Sequence, residues 1–234
     1  MTSDHLQFRS ELARLWQQIV RTELQEFLPT AAVHAQLLLR ADTRDDLAQP
    51  GFVGPNYAPN GIVFVSMNPG NGNDGNCGGD LNQYRALEAL RDAISDDLLK
   101  TFEDLTTLLS RFMPSWPLIR NLVAPVLPSA GMQDLSSIAY MNLFNWRTAQ
   151  GADLAALYRR CWTHHTQKQI EMLKLRVIVA LGKGVRDHLQ SHLLPKIPVL
   201  TIRRLYSLPR PNNGDGKRDI EAVCAWLRKE GTGS

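Results

Sequence analysis

Cysteine is scarce in this chain: Cys77, Cys161 and Cys224 are the only three in 234 residues, and no two of them form a Cys-x-x-Cys pair. That excludes a disulfide framework and a zinc knuckle, and leaves three free thiols as the simplest reading. No apolar run approaches the roughly 20 residues needed to span a bilayer. The opening Met1-Thr2-Ser3-Asp4-His5 is polar and lacks a signal-peptide core. A soluble, cytoplasmic protein without membrane partners is the expectation. Charge of one sign is lacking too, with 26 Lys and Arg against 23 Asp and Glu. What basicity there is lies in one place. Residues 203–218 hold Arg203, Arg204, Arg210, Lys217 and Arg218 against Asp215 alone, a local charge of +4 that leaves −1 for the rest of the chain. A basic segment rich in Pro, Asn and Gly suits a phosphate backbone, although a solvated loop of mixed charge reads the same way.

Apolar residues make up 44% of the chain, enough to exclude intrinsic disorder. Their spacing sets the organisation. Leu12, Leu15, Trp16, Ile19, Val20, Leu24 and Phe27 recur at helical intervals within Leu6–Phe27, and a second helical stretch follows at about 31–39. The Pro, Gly and Asn content of 49–61 reads as loop. Four short apolar runs then read as strands buried on both faces: 62–67, 137–142, 177–181 and 198–202. Helical stretches fall between them, at about 83–93, 101–112, 152–174 and 185–193. Strands separated by helix-length connections pair in parallel through crossovers. The expected fold is therefore α/β, a three-layer α/β/α sandwich around a small, mainly parallel four-stranded sheet. It is expected as one domain over 1–234, with an N-terminal helical extension (1–60) and a core (61–213).

Folds of this kind gather ligand residues at the carboxyl ends of their parallel strands. The first strand runs into Asn68-Pro69-Gly70-Asn71-Gly72-Asn73-Asp74-Gly75, which satisfies Gly-x-Gly-x-x-Gly. A dinucleotide fingerprint needs a helix to begin within the motif and an acidic residue closing a second strand about 20 residues on. Here glycines continue to Gly79, and Glu88 falls inside a helix. The Asn68-Pro69-Gly70 turn is more informative. An amide cannot serve as a base near neutral pH, but it can orient a water or bond a carbonyl, and proline fixes the turn that aims it. Asn and Pro also simply favour turns. The second strand ends in Asn142, whose amide presents a donor beside an acceptor, the complement of a nucleobase edge. After the third strand, Gly182-Lys183-Gly184 lacks Walker spacing. His188 and His192 stand four apart without a third ligand, so no metal site is expected. Cys77 would act as a nucleophile only beside a base that lowered its pKa.

Ser66-Met67-Asn68-Pro69-Gly70 after the first strand, Tyr140-x-Asn142-x-x-x-x-Arg147 after the second, a helix with Cys161 and Ile170 leading into 177–183, and a Ser/Pro/Arg/Asn loop after the fourth together resemble the uracil-DNA glycosylase superfamily. The similarity covers about 61–213. The first motif is closest to the Gly-Met-Asn-Pro-Gly of the single-strand-selective and mismatch-specific branches, with Ser66 in place of the first glycine. The second resembles the iron–sulfur branch, of whose cluster ligands only Cys161 has a counterpart, so no cluster is expected.

The resemblance implies an enzyme that flips a damaged or modified base, uracil or a modified pyrimidine, out of DNA and hydrolyses its N-glycosidic bond without metal or diffusible cofactor. Asn68 would position the water. Asn142 would pair with the base edge, with Met67, Tyr84 and Tyr206 completing the base-binding set. Tyr84 reads equally as a buried helix residue. Ser66, Pro69, Gly70, Arg203, Arg204, Ser207, Arg210 and Asn212 would follow the DNA backbone. Where much of the family carries His-Pro-Ser, this chain has Leu205 or Tyr206, which leaves the departing base to Tyr206, to Arg210 or to no side chain. The implied partner is single- or double-stranded DNA, with a monomer favoured. The alternative is a non-catalytic nucleic-acid or nucleotide-binding module on the same fold.

Overall fold

A computed structural model describes residues 2–23, 47–67, 77–146, 155–192, 197–204 and 214–231. The chain folds as two compact units, each built from three stretches: 1–51, 68–109 and 142–172 in the first, and 52–67, 110–141 and 173–234 in the second. The boundary expected near residue 60 falls inside a stretch of the second unit.

The second unit carries the sheet. Its strands are β1 (Phe52–Val53), β2 (Ile62–Ser66), β3 (Ile138–Asn142, whose last residue falls in the first unit), β4 (Val177–Leu181) and β5 (Val199–Ile202), in the spatial order β1-β3-β2-β4-β5. β2 pairs with β4 in parallel, Ile62 opposite Val177 and Val65 opposite Ala180. β5 pairs with β4 in parallel, from Val199 opposite Ile178 to Ile202 opposite Leu181. Every residue of β2, β3 and β4 is buried, which is why these strands are continuous apolar runs rather than alternating ones. β5 lies at the edge and is only partly covered.

The fold is α/β and the sheet mostly parallel as expected, but among the described residues the sheet has five strands, not four. The fifth, β1, sits in the segment read as loop and pairs antiparallel with β3, Phe52 opposite Tyr140. Two residues carry no periodicity. The β1 conformation is set by the ladder, and Gly54 just beyond it donates its N–H to Ile138 O at 2.9 Å. A Cβ on Gly54 would collide with the Ser136 carbonyl oxygen, so that approach requires glycine.

β4 leads through α6 (Lys183–His192) to β5, and α6 packs on both strands. α7 (Asp215–Gly231) packs on β5 and on the 3₁₀ turn Leu127–Ala130. This last helix contradicts the reading of 203–218 as one loop. Asp215 favours the helix start, and Val223, Cys224 and Leu227 supply a buried face at helical spacing. Residues 113–137 form short 3₁₀ and π turns, broken by Pro114, Pro117, Pro125 and Pro128.

The first unit is helical: α1 (Ser3–Val20), α2 (Cys77–Asp92), α3 (Ser95–Phe112, whose last residues pass to the second unit), α4 (Ala155–Cys161) and α5 (Gln167–Leu173). Thr2 caps α1, its Oγ1 accepting from His5 N. α1 ends at Val20, short of the expected Phe27. Leu24, Phe27 and the stretch 31–39 lie outside the described residues. α1 buries Leu12, Trp16 and Ile19, and Trp16 meets Phe102 of α3 edge-on with ring centroids 5.1 Å apart. Arg9 on the same helix is fully buried and bidentate to Glu103, at 2.7 and 2.8 Å, with its guanidinium 4.7 Å from the Phe102 ring centroid. Gln17 closes the end of α2 by donating to Leu90 O and Ala93 O.

α2 corrects a further expectation, because it begins at Cys77, so Gly78 and Gly79 are helical and a helix does follow the glycine loop closely. A dinucleotide reading still fails, since the next strand in the chain is β3, some 70 residues on, without the compact strand–helix–strand unit that binds a dinucleotide. The helix read as continuous over 152–174 is α4 and α5 joined by a π turn at Trp162–Thr166. Among the described residues no helix is long and apolar enough to cross a membrane.

Candidate functional site

The carboxyl ends of β2, β4 and β5 lie on one edge of the second unit's sheet, because the three strands are parallel. There a pocket of about 250 Å³ opens. Its lining comes from all three strand ends: Met67 directly after β2, Leu181 to Val185 at the junction of β4 and α6, and Arg204 two residues beyond β5. Gly182 takes φ +125°, a conformation that L side chains rarely adopt, and a Cβ there would also touch Arg204 Nε at 3.5 Å. A Cβ on Gly184 would meet Met67 Cε at 3.1 Å. The missing Cβ at each glycine lets the Arg204 and Met67 side chains lie close against the backbone.

At the end of β2, Ser66 Oγ and Tyr140 Oη are hydrogen-bonded at 2.8 Å, both side chains buried. Burial raises the Tyr140 hydroxyl pKa above its ordinary value, opposed by the Ser66 hydrogen bond and the Arg204 charge. Arg204 is lowered by desolvation, with the Tyr140 interaction acting the other way. Arg204 stays a cation at neutral pH, because a guanidinium starts from so high a value. Among the described residues no carboxylate pairs with it.

Arg203, expected beside Arg204 on phosphate, is engaged otherwise. Its Nε and Nη2 donate to both oxygens of Asp219 at 2.8 and 2.9 Å, and Nη1 donates to Asp215 at 2.9 Å. Its backbone N–H also donates to Asp219, at 2.8 Å. Burial would raise the Asp219 carboxyl, but the Arg203 hydrogen bonds and charge outweigh it and hold the group below its usual range. The clamp ties the end of β5 to α7, and adjacent arginines take opposite roles: one is neutralised, the other faces the pocket.

Asn142 is the last residue of β3 and is buried, 4% exposed. Tyr84 is buried on α2 in the first unit, where its hydroxyl accepts from Gln49 Nε2 at 2.8 Å. Asn68, Pro69, Gly70, Arg147, Leu205, Tyr206, Ser207, Arg210, Asn212 and the Cys77 side chain lie outside the described residues. The structure therefore brings together Met67 and Arg204 of the expected set at one pocket, whose lining includes neither Ser66 nor Asn142, and gives Arg203 carboxylate partners. It adds Gly182, Lys183 and Gly184, noted in the sequence only for lacking Walker spacing. A signal existed, since Gly-Lys-Gly directly follows a wholly apolar strand, where α/β folds place their ligands.

Cys161 is buried, and burial pushes its thiol up to about 12, opposed by a backbone hydrogen bond at Asn145, so it is no thiolate at neutral pH. His188 and His192 stack with ring centroids 4.3 Å apart, and no group of three metal-ligating side chains exists among the described residues. Compared with known proteins, the chain matches no family model and no curated protein.

Proposed function

We propose that the chain is a DNA glycosylase on a three-layer α/β/α fold of the uracil-DNA glycosylase type, which hydrolyses the N-glycosidic bond of uracil or a modified pyrimidine flipped from DNA. The observation that carries this reading is the pocket at the carboxyl ends of β2, β4 and β5, one residue before the Asn68-Pro69-Gly70 motif. At about 250 Å³ it falls just under the ~300 Å³ at which small-molecule pockets generally begin. That suits one ring rather than a dinucleotide.

In this reading Asn68 orients a water toward C1′ of the sugar. The bond from C1′ to the base nitrogen breaks through a cationic sugar, its electron pair leaves with the base, and the water oxygen bonds to C1′. Asn142 pairs with the base edge, and backbone N–H groups from Pro69 onward, together with Ser207, Arg210 and Asn212, meet the DNA backbone; Ser66, buried and bonded to Tyr140, takes no part in that contact. An amide cannot accept the water's proton, so water attack follows sugar-cation formation and turnover is slow. The test is incubation with oligonucleotides bearing uracil, a thymine mismatch or a bulky modified pyrimidine, followed by alkaline cleavage of abasic sites. Strand breaks that disappear in Asn68→Ala support the enzyme.

A second reading, a non-catalytic nucleic-acid-binding module, is favoured by one observation: no imidazole lines the pocket among the described residues. Salt-sensitive binding with no break on any substrate would establish it.

A further inference from the structure

We propose that a notch in the first unit, between the end of α1 and the π turn at Trp162–Thr166, binds a single phosphate group through Lys168, His164 and Gln18. The site shares no residue with the strand-end pocket and does not depend on the glycosylase reading.

Four observations carry it. First, the notch is a cavity of about 140 Å³, less than half the ~300 Å³ at which small-molecule pockets generally begin, so it admits one small group and not a nucleotide. Second, its lining is of two kinds. Leu15 and Ile19 are buried and belong to the core cluster with Phe144, Trp146 and Cys161, whereas Gln18, Thr22, His164, His165 and Lys168 supply the polar remainder. Among the described residues no carboxylate lines it. Third, the basic side chains converge. Lys168 follows His164 by four residues, about one helical turn, and the charges of both reach the buried His165, where they add to desolvation in disfavouring its protonation. Fourth, the main-chain acceptors that would draw a cation to this end of α1 are already engaged. Arg21 N–H donates to Gln17 O at 2.9 Å, Thr22 Oγ1 to Gln18 O at 3.2 Å and Thr22 N–H to Ile19 O at 3.1 Å.

The chemistry of the lining then selects the ligand. A phosphate group carries negative charge and accepts hydrogen bonds, and the notch offers it an ammonium, an imidazole N–H and an amide NH₂ with no opposing acid. Neither Lys168 nor Gln18 has a side-chain hydrogen bond or ion pair among the described residues, so each turns to a ligand without giving up a partner. The wall behind them is fixed, with His165 Nδ1 2.9 Å from Asn145 Oδ1 and the His165 ring centroid 5.8 Å from that of Trp146. The π turn itself carries two of the lining residues, and wide turns of this kind within helices recur at functional sites.

Two sources offer the same group, the free ion and a polynucleotide backbone, and the experiment tells them apart. The probes are inorganic phosphate and a short oligothymidylate without terminal phosphates. Phosphate binding is followed by calorimetry and by the NMR ring resonances of His164, identified by their absence from His164→Gln. Lys168 and His164 are exposed, so their glutamine variants are expected to fold, which thermal melts check. The expected result is that millimolar phosphate shifts the His164 resonances and that affinity falls by about tenfold or more in Lys168→Gln, the size of a lost hydrogen bond to a charged group. Lys183→Gln, altered at the strand-end pocket, should keep wild-type phosphate binding. If the source is a polynucleotide, the salt slope of oligothymidylate binding drops by about 0.7 in Lys168→Gln, the value for one phosphate contact on a single strand. An unchanged slope beside weakened phosphate binding assigns the site to the free ion.

Phosphate that binds wild type and Lys168→Gln alike overturns the proposal, as do His164 resonances that stay in place at millimolar phosphate. Binding lost in Lys183→Gln but kept in Lys168→Gln overturns it as well, by seating the anion at the ends of β2, β4 and β5.

Discussion

The hydroxyls of Ser66 and Tyr140 face each other at 2.8 Å at the end of β2. Each is buried, so each depends on its partners for polar satisfaction. Tyr140→Phe is expected to cost about 1–3 kcal/mol, the range for a buried polar group losing a hydrogen-bond partner. Ser66→Ala falls in the same range. The double variant should cost less than the two singles combined, because the second deletion removes a group already deprived of this partner. Urea unfolding of the four proteins measures the coupling, and strict additivity would show that the pair contributes nothing beyond its separate contacts.

Gly182 and Gly184 differ in what they tolerate. Gly182→Ala must hold an L residue at φ +125° and is expected to cost on the order of 1–3 kcal/mol. Gly184→Ala need only displace the Met67 Cε by a few tenths of an ångström, a movement a flexible thioether makes at little cost. Thermal melts should rank the variants in that order, while ligand binding should weaken in both because each added methyl narrows the pocket.

Arg204 is expected to oppose stability while serving the site. Its pKa is lowered in the folded protein, so the charged form is less favourable there than in the unfolded chain. The penalty operates at every pH at which the guanidinium is charged. Arg204→Met should therefore melt at the same or a higher temperature than wild type. A clear loss of stability would show that the arginine has a structural partner of consequence.

In the helical unit, Arg9 depends on Glu103. Glu103→Ala leaves a fully buried guanidinium without its carboxylate and is expected to cost roughly 3–5 kcal/mol. Replacing both by apolar residues of similar volume, as in Arg9→Met with Glu103→Leu, should recover most of that loss, since the desolvation penalty goes with the charge. Chemical denaturation compares the three.

His165 sits in the π turn. Asn145 Nδ2 donates to Gln49 O at 3.0 Å, which leaves Asn145 Oδ1 to accept from His165 Nδ1 at 2.9 Å, while His165 Nε2 lies 3.1 Å from Thr22 Oγ1. Burial, then the charges of His164 and Lys168, lower its pKa to about 3 from 6.5. Between those values the unfolded chain binds a proton that the folded chain does not, so stability is full above about pH 6.5 and falls as pH drops toward 3. The loss is on the order of a few kcal/mol. His188, lowered to about 4 by burial and by His192, titrates in the same window. The slope attributable to His165 is therefore the difference between wild type and His165→Asn in urea titrations at successive pH values, and identical slopes would refute it.

The legible parts of the fold are those where burial alone dictates residue type. β4 is Val177–Leu181, the boundaries read from sequence, because a strand covered on both faces admits only apolar residues. β1 was not legible, since Phe52 and Val53 become a strand only by pairing with Tyr140 and Ala139, and no two-residue segment announces partners 88 and 86 residues away. The start of α2 misled for another reason. Gly78 and Gly79 oppose helix by roughly 1 kcal/mol each, and tertiary context overrides that preference.

α7 was legible: Val223, Cys224 and Leu227 stand at helical spacing just beyond the basic residues of 203–218. Of the candidate site, the strand-end rule points to the position of Met67, which lines the pocket after β2, but it does not tell Arg203 from Arg204. Which arginine meets Asp219 depends on where α7 lies relative to the end of β5, and neighbouring positions on an extended chain point opposite ways.

Neither unit is a continuous piece of polypeptide, for the chain enters each of them three times. No single cut can release a self-sufficient half, and every terminal truncation beyond the outer stretches strips strands or helices from both. Any dissection of this protein will therefore have to proceed by point substitution, not by fragments.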